Sequence, residues 1–324
     1  MTKRFSSLFV FLLLGACAAR TPAPAPTPEA APEEAPAAAS DEPEAPASSS
    51  TPAADVKWAP LNPEKPDGPQ MAVLNGNPAE GAFSALVKVP AGFSSGLHTH
   101  PVNFTGVAVA GSLGSGRTVE DAKTLAVGDL WTDAAGEAHV TVCSEDAECI
   151  FVGYMEGAMA MNPEENPAEA STMSLTAAGD IAYNPVNPEK PEGPGMVVLT
   201  GDKTAGAFTA LVRFPAGAQA PEHSHTASYS AAVVSGVVSH GGPDGLSAGS
   251  HWTQAGGGAH TTGCDEGADC VFFVSMDGAM DMTPTAPPAD EAAVGTEADE
   301  AAEGAEAHEA AEGAEADKAD KAAE

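Results

Sequence analysis

The sequence predicts an all-β protein built from two tandem small barrels or sandwiches. Three observations carry this reading. The first is an internal duplication: Asn62-Pro-Glu-Lys-Pro66 recurs as Asn187-Pro-Glu-Lys-Pro191, and Pro90-Ala-Gly92 as Pro215-Ala-Gly217. The second is the absence of helical periodicity between short β-prone runs such as Phe83–Val89, Phe104–Ala110 and Cys149–Met155, which Gly, Pro, Asp and Asn separate. The third is a His-x-His pair in each copy, at His98/His100 and His223/His225.

The register of the duplication sets the domain limits. Equivalent residues lie 125 apart up to Gly111/Gly236 and 121 apart from Trp131/Trp252 onward. The second copy has thus lost four residues between Gly236 and Gly249. Register kept on both sides of one deletion is the mark of a true repeat. The copies are placed at residues 56–165 and 181–284, each of a size suited to one domain.

Histidines at i and i+2 on a strand point to the same face. A later strand supplies a third in each copy, within Gly136-x-x-His139-x-x-x-Cys143 and Gly257-x-x-His260-x-x-x-Cys264. The first signature is Gly92, five residues, His98-Thr-His100, three residues, Phe104, six residues, Gly111; the second repeats it from Gly217 to Gly236. Each copy therefore resembles a cupin, a small barrel of the double-stranded β-helix type. The cupin motifs run Gly-x5-His-x-His-x3-4-Glu-x6-Gly and Gly-x5-Pro-x-Gly-x2-His-x3-Asn. The spacings match in both copies, while four residue types depart: Phe104 and Tyr229 replace the Glu, Ala134 and Ala255 the Pro, and Cys143 and Cys264 the Asn. The resemblance extends to a bacterial group of two-cupin proteins of undetermined function.

That resemblance implies metal ligands at His98, His100 and His139 in the first barrel and at His223, His225 and His260 in the second. These are six of the nine histidines in the chain. Three neutral imidazoles leave the charge of a dication uncompensated, which favours an anionic fourth ligand. Zn, Fe, Mn, Ni and Cu all accept imidazole, so the metal is a divalent transition ion of open identity. Phe104 only fills space. Tyr229 places a phenol where the family keeps a ligand, and metal binding, a hydrogen bond to a bound ligand and packing all remain open. His240 and His251 belong to the second copy alone. His251 faces either cavity or solvent, with solvent favoured.

Cys143/Cys149 and Cys264/Cys270 each bracket five residues in a hairpin-like loop. An oxidising compartment would close both pairs as disulfides. The alternative is a cavity-facing thiolate at Cys143 or Cys264, four residues after a histidine ligand. Met155/Met159/Met161 and Met276/Met280/Met282 are read as strand-end packing. Asp277 and Asp281 take no assignment.

The ends of the chain lie outside the fold. Residues 1–16 read as a signal peptide: Lys3 and Arg4 precede an apolar run, Phe5 to Leu14, too short to span a bilayer, which needs about 20 residues. Leu14-Gly15-Ala16-Cys17 resembles the lipobox of bacterial lipoproteins, which implies lipidation of Cys17. Ala18 in place of an aspartate points to the outer membrane, facing periplasm or cell surface. Residues 17–55 are an Ala/Pro/Glu/Ser tether with too few large apolar groups to fold. Residues 285–324 form an acidic, low-complexity tail.

The formal charge is −33, and the body between tether and tail keeps about −18 of it. Such a field argues against nucleic acid and against contact with anionic lipid heads other than through the anchor. A small-molecule ligand is the expected partner; oligomeric state is left open. Two functions from different classes fit: an envelope lipoprotein whose metal-loaded barrels bind a small anionic ligand, and a metal-dependent dioxygenase or isomerase acting on a small acid. Fold alone does not decide between them. Cys17→Ser should move the protein from the membrane fraction to the soluble fraction; unchanged fractionation would count against the anchor.

Overall fold

The structure, a computed structural model, describes residues 48–165, 173–242 and 244–285. The signal peptide, Cys17, most of the tether and the tail from residue 286 lie outside the described residues. Each repeat folds as two facing sheets. In the first, a seven-stranded sheet runs Ser174–Thr176, Leu130–Asp133, Phe104–Ala110, Cys149–Met155, Phe83–Val89, Gln70–Gly76, Ala59–Pro60. Opposite it, Lys123–Leu125, Leu113–Gly116 and Val140–Cys143 form a second sheet. Bridges at Ser94↔Val142 and His98↔His139 extend that sheet to the His98–Thr99/Asn162–Pro163 pair. The second repeat reproduces this plan, with a continuous five-stranded small sheet that includes Gln219–Ser224 and His260–Cys264. The four-residue deletion falls around the hairpin turn between Val237–His240 and Gly245–Ser247, whose counterpart joins Leu113–Gly116 to Lys123–Leu125.

The central strands of each large sheet are buried on both faces, so they read as nearly continuous apolar runs. In the run Ala231–Val234, Ala231 and Val233 face the second barrel's interior, where they pack with Trp252, Phe272 and Val274. Ala232 and Val234 point the other way and join Leu74, Leu86, Val107, Val109 and Val152 of the first repeat in one cluster. The two barrels thus pack through the outer faces of their large sheets. Polar contacts fix the match: Ser230 Oγ donates to the Leu74 carbonyl at 2.7 Å, and Asn75 Nδ2 to Asp277 Oδ1 at 2.6 Å. Asp277, unassigned from sequence, is an interdomain contact.

The tether boundary at Asp55 requires correction. Ser49–Thr51 pairs with His251–Thr253 of the second barrel, and Ser174–Thr176 pairs with Leu130–Thr132 of the first. Each repeat lends its leading segment to the other's sheet. Ser250 Oγ accepts from Ala53 N at 3.0 Å, and at the matching place Asp129 Oδ1 accepts from Ala178 N at 2.8 Å. The Ser-Ser-Thr segment lacks large apolar residues because an edge strand is held mainly by backbone hydrogen bonds, and composition cannot show that. At the other end, Thr285 still bonds Glu222, so the fold runs one residue into the expected tail.

Cys143–Cys149 and Cys264–Cys270 are disulfide-bonded, with Cα atoms 5.9 and 5.7 Å apart. Each ties the end of a small-sheet strand to the start of a large-sheet strand. All four cysteines are buried in the apolar cores, which excludes the thiolate-ligand alternative. Motif glycines Gly111 and Gly236 have positive φ, and a Cβ at Gly111 would meet the Glu148 carbonyl oxygen at 2.5 Å, so no side chain fits there. Deleting residues 48–55 should remove about 2 kcal/mol, the scale of a few net hydrogen bonds. Calorimetry should read this as a midpoint lower by about 4–8 °C. An unchanged midpoint would show that the exchanged strand adds nothing.

Candidate metal centre

Each centre forms where two small-sheet segments pair. His98 and His139 are backbone partners, with His98 N donating to His139 O at 3.0 Å and His139 N to His98 O at 2.9 Å. Residues directly opposite in an antiparallel pair hold their side chains on one face, and here the ring centroids lie 4.3 Å apart. His100, two residues on, brings its ring within 5.0 and 5.3 Å of the other two. The second barrel repeats this: His223 pairs with His260, and the three distances are 4.4, 4.9 and 5.3 Å. In each triad the ligand nitrogens lie within 4.8 Å of one another, and all six rings are buried.

Every one of these histidines has Nδ1 against a main-chain carbonyl. The partners are Gly96 at 3.0 Å, Ala160 at 2.6 Å and Glu137 at 3.2 Å for His98, His100 and His139. For His223 and His260 they are Pro221 at 2.7 Å and Gly258 at 3.1 Å, and for His225 it is Asp281. A carbonyl only accepts, so Nδ1 carries the proton and Nε2 keeps its lone pair. A backbone partner on the far nitrogen is how proteins orient metal-ligating imidazoles. Burial lowers His98, His139 and His260 to about 4 and also lowers His225. These four imidazoles are therefore neutral, the state in which they bind metal. The donor set and its orientation fit a transition metal in both barrels.

Asp281 has a role the sequence did not show. Its carbonyl receives His225, and its carboxylate accepts from Thr226 N at 2.8 Å and from the Thr226 hydroxyl. Met155, Met159, Met161 and Met71 line the first cavity, and Met276, Met280, Met282 and Met196 the second. His251 is half-buried on the strand edge that receives Thr51, and lines neither cavity. His240 is buried beside His260 but is held as a neutral donor-acceptor: Gln254 gives both its amide protons to carbonyls, so its oxygen accepts from His240 Nε2 at 3.1 Å. His240 Nδ1 then faces Thr262 Oγ1 at 3.1 Å, and no lone pair remains for metal.

The position of the family glutamate differs between barrels. Phe104 packs on Trp131 and Phe151, with centroids 5.7 and 6.0 Å away, above Gly153, where a Cβ would meet its ring at 2.6 Å. The first cavity measures about 100 Å³. In the second barrel Tyr229 is buried, and its hydroxyl donates to His260 Nε2 at 3.1 Å. Burial holds that phenol well above its usual pKa, so it stays protonated. The second cavity measures about 630 Å³ and includes Lys190 and Lys203 in its lining.

Sequence reasoning also missed Asp133. It lies directly across the strand pair from Phe104, lines the first cavity and is 3 % exposed. Burial, then the charge of Glu137, raise its carboxyl to about 7. Its counterpart across from Tyr229 is Gln254.

These shifts set the pH response of metal-free protein. Six histidines, including His240 and His251, have lowered folded-state values. Between about 6.5 and 4 the unfolded chain binds more protons at these sites, so stability falls as pH drops through that window. Asp133 alone opposes this over the same range, because its folded-state value is raised. The denaturation midpoint of metal-free protein should therefore decline from pH 6.5 to 4, and a flat profile would contradict the lowered values of these six histidines.

The His-x-His motif, its third histidine and the two facing sheets make both domains cupin-type barrels. Two solved structures are similar in fold. One is a protein from Nostoc punctiforme assigned provisionally as a dioxygenase, 11% identical, with a TM-score of 0.56 over 75% of this chain and 88% of that one. The other is a salicylate 1,2-dioxygenase from Pseudaminobacter salicylatoxidans, 12% identical, with a TM-score of 0.50 over 74% and 87%. No curated protein sequence matches. A family profile matches twice, at residues 26–155 and 175–300, and the chain belongs to that family, the domain of unknown function DUF4437.

Proposed function

We propose that this protein is an envelope lipoprotein whose two cupin barrels each hold one divalent transition metal on three histidines and present it to a small anionic ligand. One observation carries the metal reading: six buried imidazoles in two triads all give Nδ1 to backbone carbonyls and keep the Nε2 lone pair, which at His260 accepts from the Tyr229 hydroxyl. A neutral donor set leaves the metal its full charge, which supports an anionic ligand. Lys190 and Lys203 in the second cavity favour the same sign. The lipobox at Cys17 supports the envelope assignment and the outer membrane as its site.

A metal-dependent enzyme acting on a small acid is the second reading, and Asp133 is what favours it. A buried carboxyl beside an open metal position is a ready proton acceptor, and the motif residues alone offered none.

Elemental analysis of protein purified without added metal tests the proposal. His100→Ala should remove the first barrel's metal and His225→Ala the second's, with the strand content unchanged by circular dichroism. Three-ligand sites draw on a binding energy that for structural zinc runs to about 10–16 kcal/mol, so losing one ligand should leave an ion that dialysis strips. Full metal content without all six histidines would end this reading. Near-stoichiometric iron would favour the enzyme, and zinc the binding protein.

A further inference from the structure

We propose that Asp133 supplies the first barrel with the acidic oxygen its motif lacks, and that the two barrels consequently select ligands of different charge. The first takes neutral ligands that can donate a hydrogen bond; the second takes anions. This rests on the metal reading above and confines the anionic ligand of that reading to the second barrel.

The argument begins with register. Phe104 stands at the motif position of the family glutamate, and Asp133 is its direct cross-strand partner. Trp131 and Asp133 alternate inward on one strand and both line the cavity with His98, His100 and His139. Asp133 is almost wholly buried, yet its Oδ1 has no hydrogen-bond partner among the described residues. A buried acceptor without a partner costs free energy, so one is kept where something else meets it. Asp133 stands outside the cluster of mutually close ligand nitrogens. It is therefore placed to accept from whatever enters the cavity, and the three imidazoles remain the metal's ligands. A dication on those imidazoles favours its carboxylate form.

The second barrel inverts the pair. Tyr229 is directly across from Gln254. The oxygen near the triad is there a neutral hydroxyl on the motif strand, 3.1 Å from His260 Nε2. Gln254 is turned to His240 and to two carbonyls and carries no charge. Two lysines line this cavity, and none lines the first. Neither lysine makes an ion pair among the described residues. An anion entering the first barrel meets the unpartnered carboxylate of Asp133; one entering the second meets two lysines, and the one carboxylate in that lining, Asp281, is engaged by Thr226 N and the Thr226 hydroxyl.

The test uses Co2+-loaded protein, azide as the anionic probe and the visible absorption of bound Co2+ as readout. His225→Ala isolates the first barrel and His100→Ala the second. The second barrel should bind azide at least ten-fold more tightly than the first. Asp133→Asn should raise azide affinity in the first barrel at least ten-fold, whereas Asp133→Glu should not. Gln254→Asp should weaken azide in the second barrel by a similar factor, which keeps the proposal testable should Asp133→Asn fail to fold. Equal azide affinity in the two barrels, with Asp133→Asn and Gln254→Asp each changing it less than two-fold, would overturn the charge selection while leaving the metal sites standing. Failure of the unaltered protein to bind Co2+ would overturn the metal reading itself.

Discussion

Both sites depend on one backbone pairing, His98 with His139 and His223 with His260. These residues come from segments far apart in sequence, and each pair is locked into the small sheet beside the barrel interior. Once they are opposed, the strand period places His100 and His225 on the same face. The backbone carbonyls that orient the rings come from positions two residues before a histidine, at Gly96, Glu137, Pro221 and Gly258, and from the loops at Ala160 and Asp281. The triads are thus consequences of sheet register more than of side-chain packing. The large sheets contribute the wall facing them, and the disulfides tie that wall to the small sheet.

The large sheets also explain the composition. Strands such as Ala231–Val234 alternate between a face toward the barrel interior and an interdomain face, and both are apolar. Surface charge is displaced to loops and turns, so a strongly acidic chain still encloses an apolar core. Inside, the two cavities have diverged through a few residues. Phe104 faces Asp133 in the first and Tyr229 faces Gln254 in the second, and the second cavity is several times larger.

The duplication, the barrel class, the six histidines and both cysteine pairs were legible in the sequence because each rests on spacing. A period-two histidine pair and a fixed motif length survive without knowledge of the fold. Asp133 was not legible, since its meaning comes from lying across from Phe104, and strand partners cannot be read from local pattern. His240 was visible as an extra histidine, but the Gln254 and Thr262 contacts that remove it from metal chemistry are tertiary. The strand at Ser49–Thr51 was absorbed into the tether because its composition is that of a tether; only its partner, His251–Thr253, makes it part of a sheet.

That exchanged strand bears on how such a chain arises. In each repeat the leading segment and the edge it needs belong to opposite barrels, at equivalent positions in the duplication. One repeat taken alone has an unplaced arm and a bare sheet edge, because each arm is paired on the other barrel. Two identical copies related by a two-fold axis satisfy both at once, as isologous contacts do. The present chain is therefore organised as a symmetric dimer written into one polypeptide. Fusion released each half from having to stay identical to the other, and the contrasting pairs Phe104/Asp133 and Tyr229/Gln254 occupy the places where that freedom has been used.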